Sequence, residues 1–317
     1  MTIDDLPTWF LRTLAIVFGL LWGSFLNVVI YRVPRDLSIV RPGSRCGACG
    51  TPIRAYDNIP VLSWLILRGR ARCCKAPISP RYPLVEILGG ALSFAIFEVI
   101  VSNLPMSTSL GRAGLVYLVD FALALGLVAA AFIDAEHMYL PDPITLGGTA
   151  LGLATATLRG VGWQESIFGA VVGFFGVWLP FIVLYKRLRG QAGMGMGDAK
   201  LTMLAGAWFG WPGVVFAVFA GSFQATIGSA VVYLVRGKIE EPESVRKDRE
   251  ELQALAAEGD AEAAEILKED PLGEAPGEGL GKARIPFGPF LILACLEYLL
   301  AGGWLLEKYR EWFLGGY

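Results

Sequence analysis

Two aspartates, each at the end of a long apolar run, are the residues of this sequence best placed to do chemistry. Asp134 lies within the segment 132–142, FIDAEHMYLPD, and Asp198 lies within the segment 193–200, GMGMGDAK. A carboxylate at the edge of a membrane helix is costly unless it is paired or used. Two carboxylates within reach of each other form an acid–base dyad. The pattern therefore predicts hydrolysis at a membrane boundary, if the fold brings both residues together.

The two aspartates are expected at helix ends of opposite polarity. Asp134 follows the apolar run 127–133, and at a helix C-terminus the macrodipole favours the protonated form, which suits a general acid. Asp198 begins a short apolar run, where the dipole favours the ionised form. Glycines at 193, 195 and 197 permit positive φ and let another backbone approach. The simpler interpretations are a snorkelling carboxylate for Asp134 and a helix cap for Asp198.

Other polar residues near the dyad have simpler explanations. Asp142 lies between two prolines and is interpreted first as a helix cap and only second as part of the site. His137, the one histidine of the chain, is interpreted as a polar residue at the membrane surface rather than a metal ligand or proton carrier. Asp120 precedes Asp134 by about 14 residues, hence roughly 20 Å along a helix, which excludes it from the dyad. The remaining acids in apolar runs are Glu86, Glu98 and Glu297.

The elements that position these residues are membrane helices. Mean hydropathy is +0.53, and the 54% of apolar residues fall in long runs, which is typical of an all-α polytopic membrane protein. About eight transmembrane helices are predicted, one of them a short run at 199–211. The others lie at about 8–31, 84–102, 114–133, 143–158, 164–185, 212–235 and 285–306. No cleavable signal peptide is apparent.

Basic residues predict the orientation. The loop at 34–82, between helices 1 and 2, holds nine basic residues against two acidic ones, which places it in the cytoplasm. Counting eight crossings from there puts both termini outside. Asp134 and Asp198 then lie on the same, cytoplasmic face of a bacterial inner membrane.

The cytoplasmic loop contains four of the five cysteines: Cys46, Cys49, Cys73 and Cys74. Two Cys-x-x-Cys pairs at this separation would predict a structural zinc site, because four thiolates close a tetrahedral shell. Here the second pair is adjacent, and Ala71 stands where another cysteine is expected. There are two alternatives: a metal site of three thiolates with an outside ligand, or no metal site. Cys295 lies in an apolar run and is interpreted as a small core residue.

The chain divides into five predicted parts. These are the first helix (1–33), the cytoplasmic loop with a zinc knuckle (34–82), a membrane catalytic core (83–238), an acidic cytoplasmic insertion (239–284), and the last helix with its tail (285–317). Residues 239–282 include 14 acidic and five basic residues. This segment is interpreted as a solvated, partly helical insertion with no catalytic part.

In these motifs the sequence resembles the type IV prepilin peptidases, which are also leader peptidase/N-methyltransferases. The GxGD element at 195–198 is weak alone and is shared with presenilin-like proteases, but several segments in order are specific. They are GSFLNVVIYR (23–32), YDNIPVLSW (56–64), ISPRYPLVE (78–86), DAEHMYLPD (134–142), GMGD (195–198) and IPFGPF (285–290).

The resemblance implies a bifunctional enzyme with Asp134 and Asp198 as its catalytic aspartates. Such an enzyme cuts the basic leader of type IV prepilins or type II secretion pseudopilins after a glycine, then methylates the new N-terminus with S-adenosylmethionine. Asn27, Glu86 and Gly90 are candidate cofactor contacts by position alone. Zinc is the second expected cofactor, prepilins and membrane lipid are the expected partners, and no nucleic-acid partner is expected.

Two alternative functions follow from the same residues. No glycine-rich loop after a strand marks a nucleotide-like cofactor, so a peptidase without methyltransferase activity is one alternative. A proton-coupled transporter is the other, because membrane acids often line ion paths. A transporter needs acids spread through the bilayer, whereas the motif acids here cluster on one face, which favours a peptidase.

Overall fold

The computed structural model describes residues 2–190, 193–269 and 284–314, and the regular elements in these ranges are helices, with no strand assigned. It divides into two compact units, Met1–Ala129 with Ala154–Val161 and Leu299–Tyr317, and Ala130–Leu153 with Gly162–Tyr298. The helices are α1 (Thr8–Arg32), α2 (Leu62–Ile66), α3 (Arg81–Ile96), α4 (Leu110–His137), α5 (Asp142–Ala154), α6 (Trp163–Val177), α7 (Tyr185–Arg189), α8 (Met196–Arg236), α9 (Glu243–Ala257), α10 (Ala261–Glu269) and α11 (Gly288–Leu314). The all-α membrane class predicted from the sequence is confirmed.

The first unit is built on α1 and α3, which pack antiparallel. A Cβ at Gly23 would lie 2.8 Å from the Glu86 Cα, and one at Gly89 would lie 2.9 Å from the Gly23 Cα. Small residues thus let the two backbones touch, as is typical of helix pairs in membranes. Asn27, one turn further along α1, donates its amide to the Tyr82 carbonyl oxygen at 3.1 Å.

The second unit is built on α6 and α8, which also meet through glycine. A Cβ added at Gly206 would overlap the Gly169 carbonyl, so neither position has room for a side chain. Ser166 donates its hydroxyl to the Ala207 carbonyl at 2.6 Å, and the Thr202 hydroxyl donates to the Gly173 carbonyl at 2.9 Å. These contacts fix the register of α8, which carries Asp198 in its first turn.

Six helical segments of the described chain are long and apolar enough to cross a membrane, so the predicted count of eight is not confirmed. One difference is α5, which at 13 residues is too short by this criterion. The other is that the predicted helices at 199–211 and 212–235 form the single element α8. A break does occur within α8 at Gly210, whose φ of 68° and ψ of −175° are not helical. Pro212 explains the break, because proline cannot continue the hydrogen-bond ladder.

The acidic insertion contains two helices, α9 and α10, and its residues 270–283 lie outside the described part of the chain. It is not wholly solvated. Glu241 is buried and accepts hydrogen bonds from Arg249 at 2.7 Å and from Arg284 at 3.4 Å. The Ser244 hydroxyl donates to the Glu136 carbonyl, two residues after Asp134. The insertion therefore contacts the segment that carries the first aspartate.

Candidate active site

Asp134 lies in the last turn of α4, as predicted, and is 6% exposed. The helix ends because Met138, with φ of 54°, turns the chain, and its N–H caps the Asp134 carbonyl at 2.8 Å. The Asp134 carboxylate oxygen Oδ2 is buried without a hydrogen-bond partner among the described residues. A buried carboxylate oxygen left unpaired is costly and needs an explanation, for which a reactive role is one.

Asp198 lies in the first turn of α8, also as predicted. Its side chain reaches back, and Oδ2 accepts the Gly195 N–H at 3.1 Å. The carboxylates of Asp134 and Asp198 lie close enough for a direct Coulombic interaction. The structure therefore brings the two aspartates together from helix ends of opposite dipole sign.

The glycines before Asp198 provide space without unusual backbone angles. Gly195 has φ of −76°, and neither Gly193 nor Gly197 is among the residues with positive φ, so that part of the prediction is wrong. A close approach does occur at Gly197, but by a side chain and not by the backbone that was expected. A Cβ at Gly197 would lie 3.1 Å from the side chain of Leu140, which follows the Asp134 motif. Gly197 thus lets the two aspartate segments pack directly.

An ion pair also joins the two segments. The Lys200 ammonium donates to Asp142 Oδ1 at 2.6 Å. Asp142 is the first residue of α5 and not, as the sequence had suggested, the cap before it, and its carboxylate pairs with Lys200 instead. The two residues are 58 positions apart, and no local sequence pattern predicts such a pair.

A third segment completes the surroundings of Asp134. The backbone at the start of α11 lies against its carboxylate, so that a Cβ added at Gly288 would be 2.5 Å from Oδ2 and 2.9 Å from Cγ. The sequence singled out residues 285–290 only through the resemblance. Position 288 must lack a side chain because a carboxylate occupies that space.

The other membrane acids each have a partner outside the aspartate pair. Glu98 pairs with Arg12 at 2.7 Å, and Glu297 accepts the Gln224 amide at 2.7 Å. Glu86 accepts the Val61 N–H at 2.7 Å, and Asp120 lies within electrostatic reach of Arg159. Each of these four acids has a structural explanation.

The four loop cysteines come together in the first unit. Their sulfur atoms all lie within 4.8 Å of one another, with Cys46–Cys74 at 3.7 Å, Cys49–Cys73 at 3.3 Å and Cys73–Cys74 at 3.9 Å. A tetrahedral site with Zn–S bonds of about 2.3 Å has S–S edges of about 3.8 Å. The sulfur arrangement therefore fits a zinc ion.

Two matching turns carry these thiols, and the second one explains Ala71. Each turn is closed by a single antiparallel bridge, Arg45 to Pro52 and Arg70 to Pro77. Ala71 donates its N–H to the carbonyl of Ala76, as Cys46 does to that of Thr51. Ala71 thus occupies the position of Cys46. Cys73 lies two residues later and brings a sulfur into the cluster in its place.

The four thiols differ in acidity. Hydrogen bonding from the Thr51 hydroxyl lowers the pKa of Cys49 to about 6. The hydrogen bond between Cys73 and Cys49 raises the pKa of Cys73 to about 12. Four neighbouring thiolates would repel one another, so a divalent cation is needed to hold all four in the ionised form.

The three candidate cofactor contacts all lie along the interface of α1 and α3. They are Asn27, Glu86 and Gly90. Gly90 has a packing explanation, because a Cβ there would lie 3.1 Å from the Leu20 side chain. Asn27 is 4% exposed, and its Oδ1 has no hydrogen-bond partner among the described residues. This orphaned acceptor is the one observation at the interface that fits a bound ligand.

Comparison with known proteins gives two family matches and several similar proteins. Residues 17–100 match the Bacterial Peptidase A24 N-terminal domain, and residues 121–230 match the Type IV leader peptidase family. A prepilin leader peptidase/N-methyltransferase of Myxococcus xanthus is 37% identical, over 96% of this chain and 95% of that protein. Proteins of the same name from Neisseria gonorrhoeae and Pseudomonas putida are 38% and 39% identical, over 71% and 73% of this chain and 83% of each relative. No solved structure matches the chain.

The matches extend along nearly the whole chain and include both aspartate segments. They also agree with the resemblance noted in the sequence motifs. The chain belongs to the type IV leader peptidase family.

Proposed function

We propose that this chain cleaves the leader peptide of type IV prepilins or related pseudopilins, with Asp134 and Asp198 as its catalytic pair. The observation that carries the proposal is the buried, unpartnered Oδ2 of Asp134 beside the Asp198 carboxylate. Relatives named prepilin leader peptidase/N-methyltransferase supply the substrate class.

The reaction needs one carboxylate in each protonation state. Two carboxylates within electrostatic reach of each other can divide the acid and base roles, because the charge of one disfavours ionisation of the other. In the proposed mechanism Asp198, at a helix N-terminus, is ionised and removes a proton from the attacking water. Asp134, at a helix C-terminus, is protonated and donates its proton to the departing amine.

The surrounding residues act by holding this geometry. Lys200 and Asp142 tie the two aspartate segments together, and the Gly197–Leu140 contact keeps them close. The apolar helices of this multi-pass membrane protein place the substrate's own hydrophobic helix beside them, so the scissile bond is presented without a diffusional search. The positive-inside bias of the 34–82 loop supports a site on the cytoplasmic face of a bacterial inner membrane.

We further propose that the new N-terminal amine is methylated. S-adenosylmethionine supplies the methyl group when it is bound, and Asn27 and Glu86, on facing helices, are the residues proposed to hold it. Support comes from the unpartnered Asn27 Oδ1 and from the names of the relatives. Zinc at Cys46, Cys49, Cys73 and Cys74 would then brace the loop that follows α1.

A reconstituted assay tests the proposal. Purified protein in lipid nanodiscs is incubated with a prepilin, with and without S-adenosylmethionine, and the product masses are read by mass spectrometry. We expect loss of the leader in both reactions and a gain of one methyl group only with the cofactor. Cleavage without that gain would establish a peptidase that does not methylate.

Matched variants assign the roles. Asp134→Asn and Asp198→Asn should each abolish cleavage. Glu98→Gln removes another acid from a membrane helix, where its exposed pair with Arg12 contributes little to stability. This control should cleave normally. Full cleavage by either aspartate variant would refute the catalytic assignment.

A proton-coupled transporter is not favoured. Proton relays use acids distributed through the bilayer and free to change partners. Glu98 and Glu297 are instead held by Arg12 and Gln224.

A further inference from the structure

The short helix α2, in the loop between α1 and α3, presents an uncovered apolar face. Leu62, Leu65 and Ile66 are 56%, 57% and 73% exposed. Their spacing of three and four residues puts them on one side of the turn. Ser63, on the other side, is buried and accepts the Ile59 N–H at 3.0 Å. Exposed apolar clusters of this kind mark contact surfaces.

Hydrogen bonds hold this turn beside the start of a membrane-spanning helix. The Val61 N–H donates to Glu86 Oε2 at 2.7 Å. Glu86 is five residues after Arg81, where the candidate span begins, and so lies about 7.5 Å along it. The Trp64 indole also donates to the Ile78 carbonyl at 3.1 Å, just before that span. The apolar face is therefore held at the depth of the first turns of α3.

The exposed charged residues that follow the turn along the chain are basic. Arg68 and Arg70 follow α2, and both are exposed. Arg72 differs, because its guanidinium is engaged by Asp57 at 2.8 Å. The whole loop at 34–82 has nine basic and two acidic residues. Apolar side chains flanked by arginines are the composition of segments that lie in the interface of anionic membranes.

We propose that Leu62, Leu65 and Ile66 insert into the headgroup–acyl boundary of the bilayer, and that Arg68 and Arg70 bind the phosphates of anionic phospholipids there. A soluble partner fits less well, because it would have to reach the depth of the first turns of a membrane span. Docked in this way, the cysteine-containing loop lies on the membrane instead of extending into solvent. The inference depends on the membrane location of the chain and not on its proposed catalytic activity.

A photo-crosslinking experiment tests the inference. The full-length protein is reconstituted in phosphatidylglycerol nanodiscs with p-benzoylphenylalanine in place of Ile66, and lipid adducts are measured by mass spectrometry after irradiation. The control carries the same probe in place of Leu255, an exposed apolar residue of α9. A second probe in place of Leu62 keeps the test valid if the first variant misfolds.

We expect lipid adducts at positions 62 and 66 and few at position 255. Arg68→Gln and Arg70→Gln should each weaken the lipid contact about fivefold, the factor that corresponds to about 1 kcal/mol per basic residue near an anionic surface. Neutral phosphatidylcholine nanodiscs should have a similar effect. Equal adduct yields at positions 66 and 255 would overturn the inference. Adducts formed on an added prepilin in place of lipid would also overturn it, and would assign the face to substrate.

Discussion

Replacing Gly288 by alanine should disable cleavage without disturbing the membrane fold. The added Cβ would lie 2.5 Å from Asp134 Oδ2 and 2.9 Å from Asp134 Cγ. Restoring an ordinary contact of about 3.5 Å requires a displacement of about 1 Å. Asp134 has a short side chain at the end of a packed helix, so its carboxylate must take up much of this movement.

The expected loss follows from that displacement. Misplacing a reacting group by about 1 Å costs about 10²-fold in rate. This factor corresponds to about 2.7 kcal/mol of activation free energy. We expect kcat for leader cleavage to fall by that amount, with KM little changed, because the added methyl group displaces Asp134 and not the apolar helices proposed to bind the substrate.

The control is Gly303→Ala in the same helix, where no atom lies within 4 Å of the added Cβ. Both variants add one methyl group to the same helix, and only the one at position 288 meets the Asp134 carboxylate. Rates are measured with purified protein and a synthetic prepilin, and folding is checked by thermal unfolding in micelles. A Gly288→Ala enzyme that folds normally and retains wild-type kcat would refute the positioning argument.

Three further predictions test the supporting structure. Cys73→Ser should remove most of the bound zinc measured by elemental mass spectrometry, whereas Cys295→Ser, in the buried face of α11, should retain it. Glu241→Gln should lower the free energy of unfolding by about 3 kcal/mol because its pair with Arg249 is buried, whereas Glu243→Gln, in an exposed pair, should have little effect. Gly206→Ala should destabilise the protein by at least about 2 kcal/mol through its overlap with Gly169, and Gly147→Ala, which meets no atom within 4 Å, should not. Equal effects in any pair would contradict the contact on which it rests.

The sequence alone predicted those features that depend on local chemistry. Charge bias placed Asp134 and Asp198 on one face, and apolar runs placed them at helix ends, where the structure has them. Pro212 marked the boundary where α8 breaks at Gly210. The number of membrane crossings was harder to predict, because hydropathy does not distinguish a 13-residue helix such as α5 from a full membrane span.

Local sequence patterns could not predict contacts between residues that are far apart in the chain. The Lys200–Asp142 pair and the fit of Gly288 against Asp134 join positions far apart in the chain. Glycines 193, 195 and 197 suggested positive φ, yet Gly197 serves only to admit Leu140. Cys73 was ambiguous because spacing along the chain does not reveal that a sulfur two positions from Ala71 reaches the same cluster.

The insertion at 239–284 has a closer relation to the site than its composition suggests. A solvated acidic segment would leave its charges in water, but Glu241 is buried between Arg249 of α9 and Arg284. Arg284 is four residues before Gly288, which lies against Asp134, and Ser244 donates to the carbonyl of Glu136, two residues after that aspartate. The insertion therefore makes two contacts near this site: Glu241 binds Arg284, close to Gly288, and Ser244 binds Glu136, close to Asp134. If Glu241 fixes the path into α11, then Glu241→Gln should lower kcat together with stability, whereas a change to the exposed acids of α9 should alter neither.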